Sequence, residues 1–408
     1  MASADYVRGQ QWVLDVYRMN DTWAQTQGEG VTVAVVDSGV DGSHADLAGQ
    51  VLEGRDFTGG NNAQQDLDGH GTSMASLIAG HGHGAANASG MVGLAPKAKI
   101  LPLRVLETQK DANHDATWAA AVRYAVDHGA KVINLSFSND GGKTLSEGRE
   151  AIAYAESRDV VVVASAGNQG SVAVDEPAAL PGVVSVGAVD KDGNRWDGSN
   201  TGNGLTLMAP GVGVLAADPT RSPKYSLSTG TSDATAYVSA TAALVRSKYP
   251  NLTAGQVVNR LIKSASFLGH KGLKAPDKEY GYGIIRPLQA VTMEIPAGPK
   301  KGPLAQLSNT SGTSKGGDDT NQARKGETST PGGLLILVGA GVAVIAGAVA
   351  FAVIRSRRKS RSRGIASEVG FPSQHSTYPS AQNASSNREH VIPPGQASHY
   401  RNPPHGDR

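Results

Sequence analysis

Short apolar runs recur along the first half of the chain, at 31–36, 99–105, 131–135, 160–164 and 183–189. Runs of this length, apolar on successive positions, fit strands covered on both faces. Between them, residues 117–128 and 145–157 repeat their apolar positions at helical spacing. Strand, helix and strand in that order predict right-handed crossovers and a parallel sheet. The expected fold class is therefore α/β, a central mostly parallel sheet flanked by helices, over residues 1–295.

The pattern then changes twice. Residues 296–333 turn to Gly, Ser, Thr, Lys and Pro without apolar periodicity, which predicts a flexible linker. Residues 334–354 carry no charge. At about 1.5 Å per residue such a helix spans roughly 30 Å, the thickness of a bilayer's hydrocarbon core. A transmembrane helix is expected there, with membrane lipid as its partner. Arg355, Arg357, Arg358, Lys359, Arg361 and Arg363 come directly after it. By the positive-inside tendency, the 355–408 tail is cytoplasmic and the α/β domain extracellular. Beyond its basic start the tail has no core-forming pattern and is expected to be disordered. Residues 1–20 contain Asp5, Arg8, Asp15 and Arg18 and no apolar stretch, so they are not a signal peptide. Export of the domain is expected to depend on a segment that lies upstream of this sequence or has been removed.

Composition sharpens the picture only in places. Glycine reaches 51 residues while aromatics are 5%, as in a turn-rich α/β protein with a low-complexity extension. A formal charge of +2 gives no ground for a nucleic-acid partner. Cysteine is absent, which excludes a disulfide framework and thiolate metal sites.

Four polar residues stand where chemistry is expected. Asp37 ends the first apolar run in VAVVDSGVD, at the carboxyl edge of a parallel sheet, which faces the usual ligand crevice. His70 sits between glycines in DLDGHGTSMASLIAG, before a small-residue helix. Asn168 follows another apolar run in VVVASAGNQG, so its amide can reach the same crevice as a hydrogen-bond donor. Ser232, in STGTSDATAYVSATAALV, is delivered by a glycine turn to the start of an Ala-rich helix, whose free amides and dipole favour a negative oxygen. Each alone fits an ordinary loop or cap; together they supply base, orienting acid, nucleophile and oxyanion donor for acyl transfer.

In that order, with motifs VVDSGV, DGHGT, SAGN and GTS and a closing GYGIIRP, the segments resemble the subtilase family over roughly residues 11–293. The resemblance implies a subtilisin-like three-layer fold and a serine endopeptidase acting on polypeptides. In it Asp37 orients His70, His70 is general base and then acid, Ser232 is acylated, and Asn168 and the Ser232 amide hold the oxyanion. The strand in VINLSFS resembles the family's edge strand that pairs with extended substrate, which implies that Ser136 and Phe137 border the groove. Asp233 stands where the family often has Met, and Ala236 and Tyr237 where it commonly has Pro and His. Ser73, in GTSMAS, copies the family's nucleophile string, but it follows His70 by three residues on a first helical turn and is not expected to be the nucleophile.

No cofactor is expected. His81 and His83 in GHGHG lack an evident third ligand. Asp41 and Asp46 stand where some subtilases bind calcium, yet no further oxygen ligands can be picked out, so no metal is predicted. A catalytic domain, polar linker, single span and basic tail look like mycosins, proteases associated with type VII secretion. That resemblance implies secreted-protein substrates and secretion-system membrane proteins as partners. A degradative extracellular subtilase and a catalytically silent anchor on the same fold are the alternative readings.

Overall fold

The computed structural model describes residues 2–108, 115–139 and 141–307. Helices α1 (Ala2–Gly9), α2 (Trp12–Val16) and α3 (Met19–Trp23) precede strand β1 (Thr32–Asp37). Next come strand β2 (Arg55–Asp56), helix α4 (His70–Ala79), strands β3 (His81–His83) and β4 (Ser89–Val92), and strand β5 (Lys99–Arg104). Helix α5 (Asp115–Asp127), β6 (Val132–Leu135), α6 (Ser146–Ser157), β7 (Val161–Ser165) and β8 (Val184–Val189) then alternate. Strand β9 (Leu207–Pro210), the ribbon β10 (Val212–Ala217) with β11 (Tyr225–Thr229), and helices α7 (Thr231–Lys248), α8 (Ala254–Ser264) and α9 (Pro287–Thr292) complete the order.

The main sheet has seven strands in the order β2-β5-β1-β6-β7-β8-β9, and every pairing in it is parallel. All five apolar runs are strands of this sheet, within a residue or so of the predicted limits. Register pairs Val36 with Leu135 and Leu135 with Ala164, so β1, β6 and β7 finish on one edge. Asp37, Ser136 and Asn168 lie at or just beyond those ends, where parallel sheets place ligands.

Side chains alternate across each strand, and the two faces build two cores. Val33, Val35, Val163 and Val186 meet Leu77 and Ile78 of α4 and Val238 and Leu244 of α7. Ala34, Val36, Ile133 and Val162 meet Trp118 and Val122 of α5 and Ile152 of α6. Helix–sheet–helix is thus the layer order. Helix α7 is buried from Thr231 to Arg246, so it carries no polar stripe, and its many Ala, Ser and Thr let the sheet approach its backbone.

Two expectations are corrected. Strand β6 is central, flanked by β1 and β7, so VINLSFS does not supply an edge strand; only backbone beyond Leu135 can meet an added chain. Residues 296–307, expected as the start of a flexible linker, lie against α8. Gln256 Nε2 donates to the Gly298 carbonyl at 3.0 Å, Thr253 Oγ1 to that of Lys300 at 2.6 Å, and Asn259 Nδ2 to that of Pro296 at 3.2 Å. The polar side chains of α8 satisfy backbone groups that composition alone leaves to water. Among the described residues no helix is long and apolar enough to cross a membrane; the expected span at 334–354 and the tail lie outside them.

Candidate active site

Asp37 closes β1 with its side chain fully buried. Its oxygens lie 2.8 and 3.0 Å from His70 Nδ1, and Oδ1 accepts the Ser38 amide at 2.8 Å. His70 opens α4, and the preceding Gly69 holds φ at +94°, a conformation that favours glycine. Gly71 permits the approach: a Cβ there would strike the Gly39 carbonyl and come within 3.2 Å of Asp37 Cβ. Strand end and helix start therefore meet because residue 71 has no side chain.

A carboxylate not singled out from sequence braces this junction. Asp66 is buried and accepts from Ser38 Oγ at 3.0 Å, the Gly69 amide at 2.8 Å, and the Thr72 amide and hydroxyl at 2.8 and 2.6 Å. Ser38 Oγ in turn accepts the Gly71 amide at 3.0 Å. Orphan amides of the first turn of α4 are thus satisfied by side chains that also fix the β1 end. In sequence Asp66 is one of two acids in an ordinary-looking loop.

Burial lowers the affinity of His70 for a proton, but the charge and hydrogen bond of Asp37 and the charges of Asp233 and Asp68 outweigh it, raising its pKa to about 9. With Nδ1 directed at Asp37, Nε2 is the nitrogen left to accept a proton.

Ser232 is the second residue of α7, 8% exposed. Its Oγ donates to the Ser136 carbonyl at 3.0 Å, and Ser136 Oγ donates to the Ser232 carbonyl at 3.3 Å. Asn168 Oδ1 accepts the Thr231 amide at 2.9 Å and the Thr231 hydroxyl at 2.8 Å. An amide N–H can only donate, so these bonds fix which end of the Asn168 side chain is oxygen. Its Nδ2 is then turned toward Gly230: a Cβ on Gly230 would lie 3.7 Å from Asn168 Nδ2, from the Ser232 amide nitrogen and from Asp233 Oδ2. Two donors and one acid oxygen thus border the Gly230 Cβ position at equal distance.

The other predicted residues separate into distinct roles. Ser136 is 1% exposed, and its hydroxyl accepts Asn134 Nδ2 at 2.8 Å while Ser239 Oγ of α7 donates to Asn134 Oδ1 at 2.9 Å. That buried network ties β6 to α7 below Ser232. The Phe137 side chain is in the core against Trp118, ring centroids 6.0 Å apart, so it presents backbone rather than a ring to any groove. Ser73 is buried inside α4, its amide donating to the Gly69 carbonyl at 3.0 Å. Asp41 closes a turn by accepting the Ser43 amide and hydroxyl. Asp46 is fully buried, pairs with His83 Nδ1 at 2.6 Å, and accepts from the Tyr225 hydroxyl at 2.7 Å. His81 Nε2 lies 2.9 Å from the Ala48 carbonyl. Among the described residues no group of three or more His, Cys, Asp or Glu is placed to hold a metal ion.

The chain is similar to known proteins. The model of the subtilase family matches residues 28–283. Subtilisin DY of Bacillus licheniformis is 36% identical over 263 residues, 64% of this chain and 90% of that protein. Thermitase of Thermoactinomyces vulgaris is 36% identical, over 60% of this chain and 84% of that protein. Among solved structures, MycP1 from Mycobacterium smegmatis superposes with a TM-score of 0.62 at 30% identity, covering 74% of this chain and 89% of that one. The MycP3 protease from the type VII (ESX-3) secretion system gives 0.57 at 31% identity, over 69% and 88% of the two chains.

Proposed function

The chain belongs to the subtilase family and is a mycosin-like serine endopeptidase, and from that premise we propose that Asp37, His70 and Ser232 are its catalytic triad. The observation that carries this reading is the buried Asp37 carboxylate on His70 Nδ1 at 2.8 Å, at the sheet edge where α7 also presents Ser232. For the reaction to begin, Ser232 Oγ has to leave the Ser136 carbonyl and turn to His70 Nε2. His70 removes the proton as Oγ adds to the scissile carbonyl, Asp37 stabilises the imidazolium, and Asn168 Nδ2 with the Ser232 amide receives the oxyanion. His70 then returns its proton to the leaving amine, and water releases the acyl group by the reverse sequence.

The fuller reading is a protease anchored by residues 334–354, with the α/β domain outside the cell, processing secreted proteins beside a type VII secretion machine. Its support is the uncharged segment followed by six basic residues and the likeness to MycP1 and MycP3.

The test is covalent labelling of the detergent-solubilised full chain with a serine-directed fluorophosphonate, followed by peptide mapping. Ser232 attack forms an O–P bond and expels fluoride, with His70 taking the proton. Adduct at Ser232, lost in Ser232→Ala and retained in Ser73→Ala, is the expected result. An adduct that vanishes only in Ser73→Ala overturns the triad, and a folded chain that never labels replaces the enzyme with an anchored binding module. In turnover, Ser232→Ala is expected to cost on the order of 10⁶ in kcat.

A further inference from the structure

One charged group at the site has no part in the triad. Asp233 follows Ser232 in the first turn of α7 and is 2% exposed. Carboxylates are common at helix N-termini, so the position alone says little; the surroundings of its two oxygens say more. Oδ1 accepts the Ser228 hydroxyl of β11 at 2.5 Å. Oδ2 borders the space over Gly230, at the same 3.7 Å from the Gly230 Cβ position as Asn168 Nδ2 and the Ser232 amide. An acid oxygen therefore lies as near the Gly230 Cβ position as the two donors proposed for the oxyanion.

The titratable groups that face Asp233 are His70 of α4 and, one turn along α7, Tyr237. Asp37 of β1 and Asp68, in the loop before α4, also act on His70. Burial pushes the Asp233 carboxyl up to about 6, with the Ser228 hydrogen bond and the His70 charge drawing it back. Tyr237 is raised first by its own burial and then by Asp233, so it stays neutral and adds no second negative charge.

We propose that Asp233 is an electrostatic brake on this protease, a positioning residue whose carboxylate, facing His70 and the oxyanion space, withholds acylation around neutral pH. The proposal rests on the triad reading. Two effects act in the same direction. A negative Asp233 favours imidazolium, so less His70 is present as the free base, and it repels the negative oxygen that develops beside it. Asn in its place keeps an acceptor for Ser228 and removes the charge.

The experiment is the second-order rate of fluorophosphonate labelling of the solubilised full chain between pH 5 and 10, for wild type, Asp233→Asn, Ser228→Ala and Ser232→Ala. For Asp233→Asn the midpoint of the rising limb is expected to move down by at least about one pH unit, the coupling of two charges as far as about 12 Å apart at an effective dielectric near 20. The rate at pH 7 rises correspondingly, by at least about tenfold. Ser228→Ala removes a bond that favours the charged acid, so its midpoint moves the same way by less. A profile for Asp233→Asn that superimposes on wild type, or one scaled down at every pH with the midpoint unmoved, overturns the brake. Should Asp233→Asn fail to fold, an unmoved midpoint in Ser228→Ala overturns it instead. Absence of Ser232-dependent labelling in folded wild type at any pH removes the triad reading, and this proposal with it.

Discussion

Asn168 does two jobs with opposite ends of one side chain, and they can be separated. Oδ1 holds the Thr231 amide and hydroxyl, and Nδ2 lies 3.7 Å from the Gly230 Cβ position. Asn168→Ala removes both. Asn168→Asp keeps the acceptor for Thr231 and deletes the donor. We expect Asn168→Ala to lose roughly 10² to 10³-fold in kcat with KM little changed, and Asn168→Asp to lose more, because it puts a negative oxygen where the donor was. Only Asn168→Ala should also melt earlier, since it leaves a buried amide at the start of α7 without its partner. Steady-state kinetics beside thermal melts separate the two, and wild-type kcat in Asn168→Asp would remove Nδ2 from the mechanism. At this scale Asp37, His70, Asn168 and Ser232 were legible because each follows an apolar strand or a glycine turn within a few residues. Asp66, Asn134 and Ser228 were not, since their partners lie on segments that only the fold brings near. Asp233 was visible as a departure from the family's residue, but its meaning depends on what its oxygens face.

At the scale of elements, the contact between β1 and α4 is what brings acid and base together, and Gly71 sets its closeness. Replacing glycine by alanine inside a helix ordinarily stabilises by about 0.5–1 kcal/mol. Here the new methyl strikes the Gly39 carbonyl and crowds Asp37, so α4 has to move off the strand. Overpacking of this kind costs about 1–3 kcal/mol, and the displacement loosens His70 from Asp37. Gly71→Ala is therefore expected to melt several degrees lower and to lose kcat toward the roughly 10⁴-fold seen when an orienting acid is lost. A more stable Gly71→Ala protein with unchanged kcat would show that the approach is not tight. The parallel strands and helices α5 and α6 could be read from sequence because short buried strands and amphipathic helices leave clear periodicities. The ribbon of β10 and β11 could not: β11 is half exposed, with a burial pattern that follows no strict alternation. Nor could the central place of β6, because strand order is a tertiary fact on which a four-residue apolar run such as VINL is silent.

For the whole molecule, composition draws a border between the α/β domain and the rest of the chain, but places it early. Loss of apolar periodicity at 296 predicts a linker, whereas the carbonyls of Pro296, Gly298 and Lys300 accept from side chains of α8 and of Thr253 just before it; hydrogen bonding to a chain's backbone leaves no mark on that chain's own composition. The membrane topology rests on different physics, an uncharged stretch long enough to span and six basic residues on one side of it. The absence of cysteine from the whole sequence makes this directly testable, because a single introduced thiol is a unique reporter. Ser146, at the exposed start of α6, and Ser376, beyond the basic run, fall on opposite sides of the proposed span. With a membrane-impermeant maleimide on intact cells, Ser146→Cys is expected to label and Ser376→Cys to label only after lysis, both chains remaining in the membrane pellet through an alkaline wash. The reverse pattern would put the protease domain in the cytoplasm, out of reach of secreted substrates, while release of both chains from the pellet would remove the anchor. The polarity matters for chemistry as well as for address: a domain outside the cell meets the pH of its surroundings, the variable to which His70 and Asp233 respond.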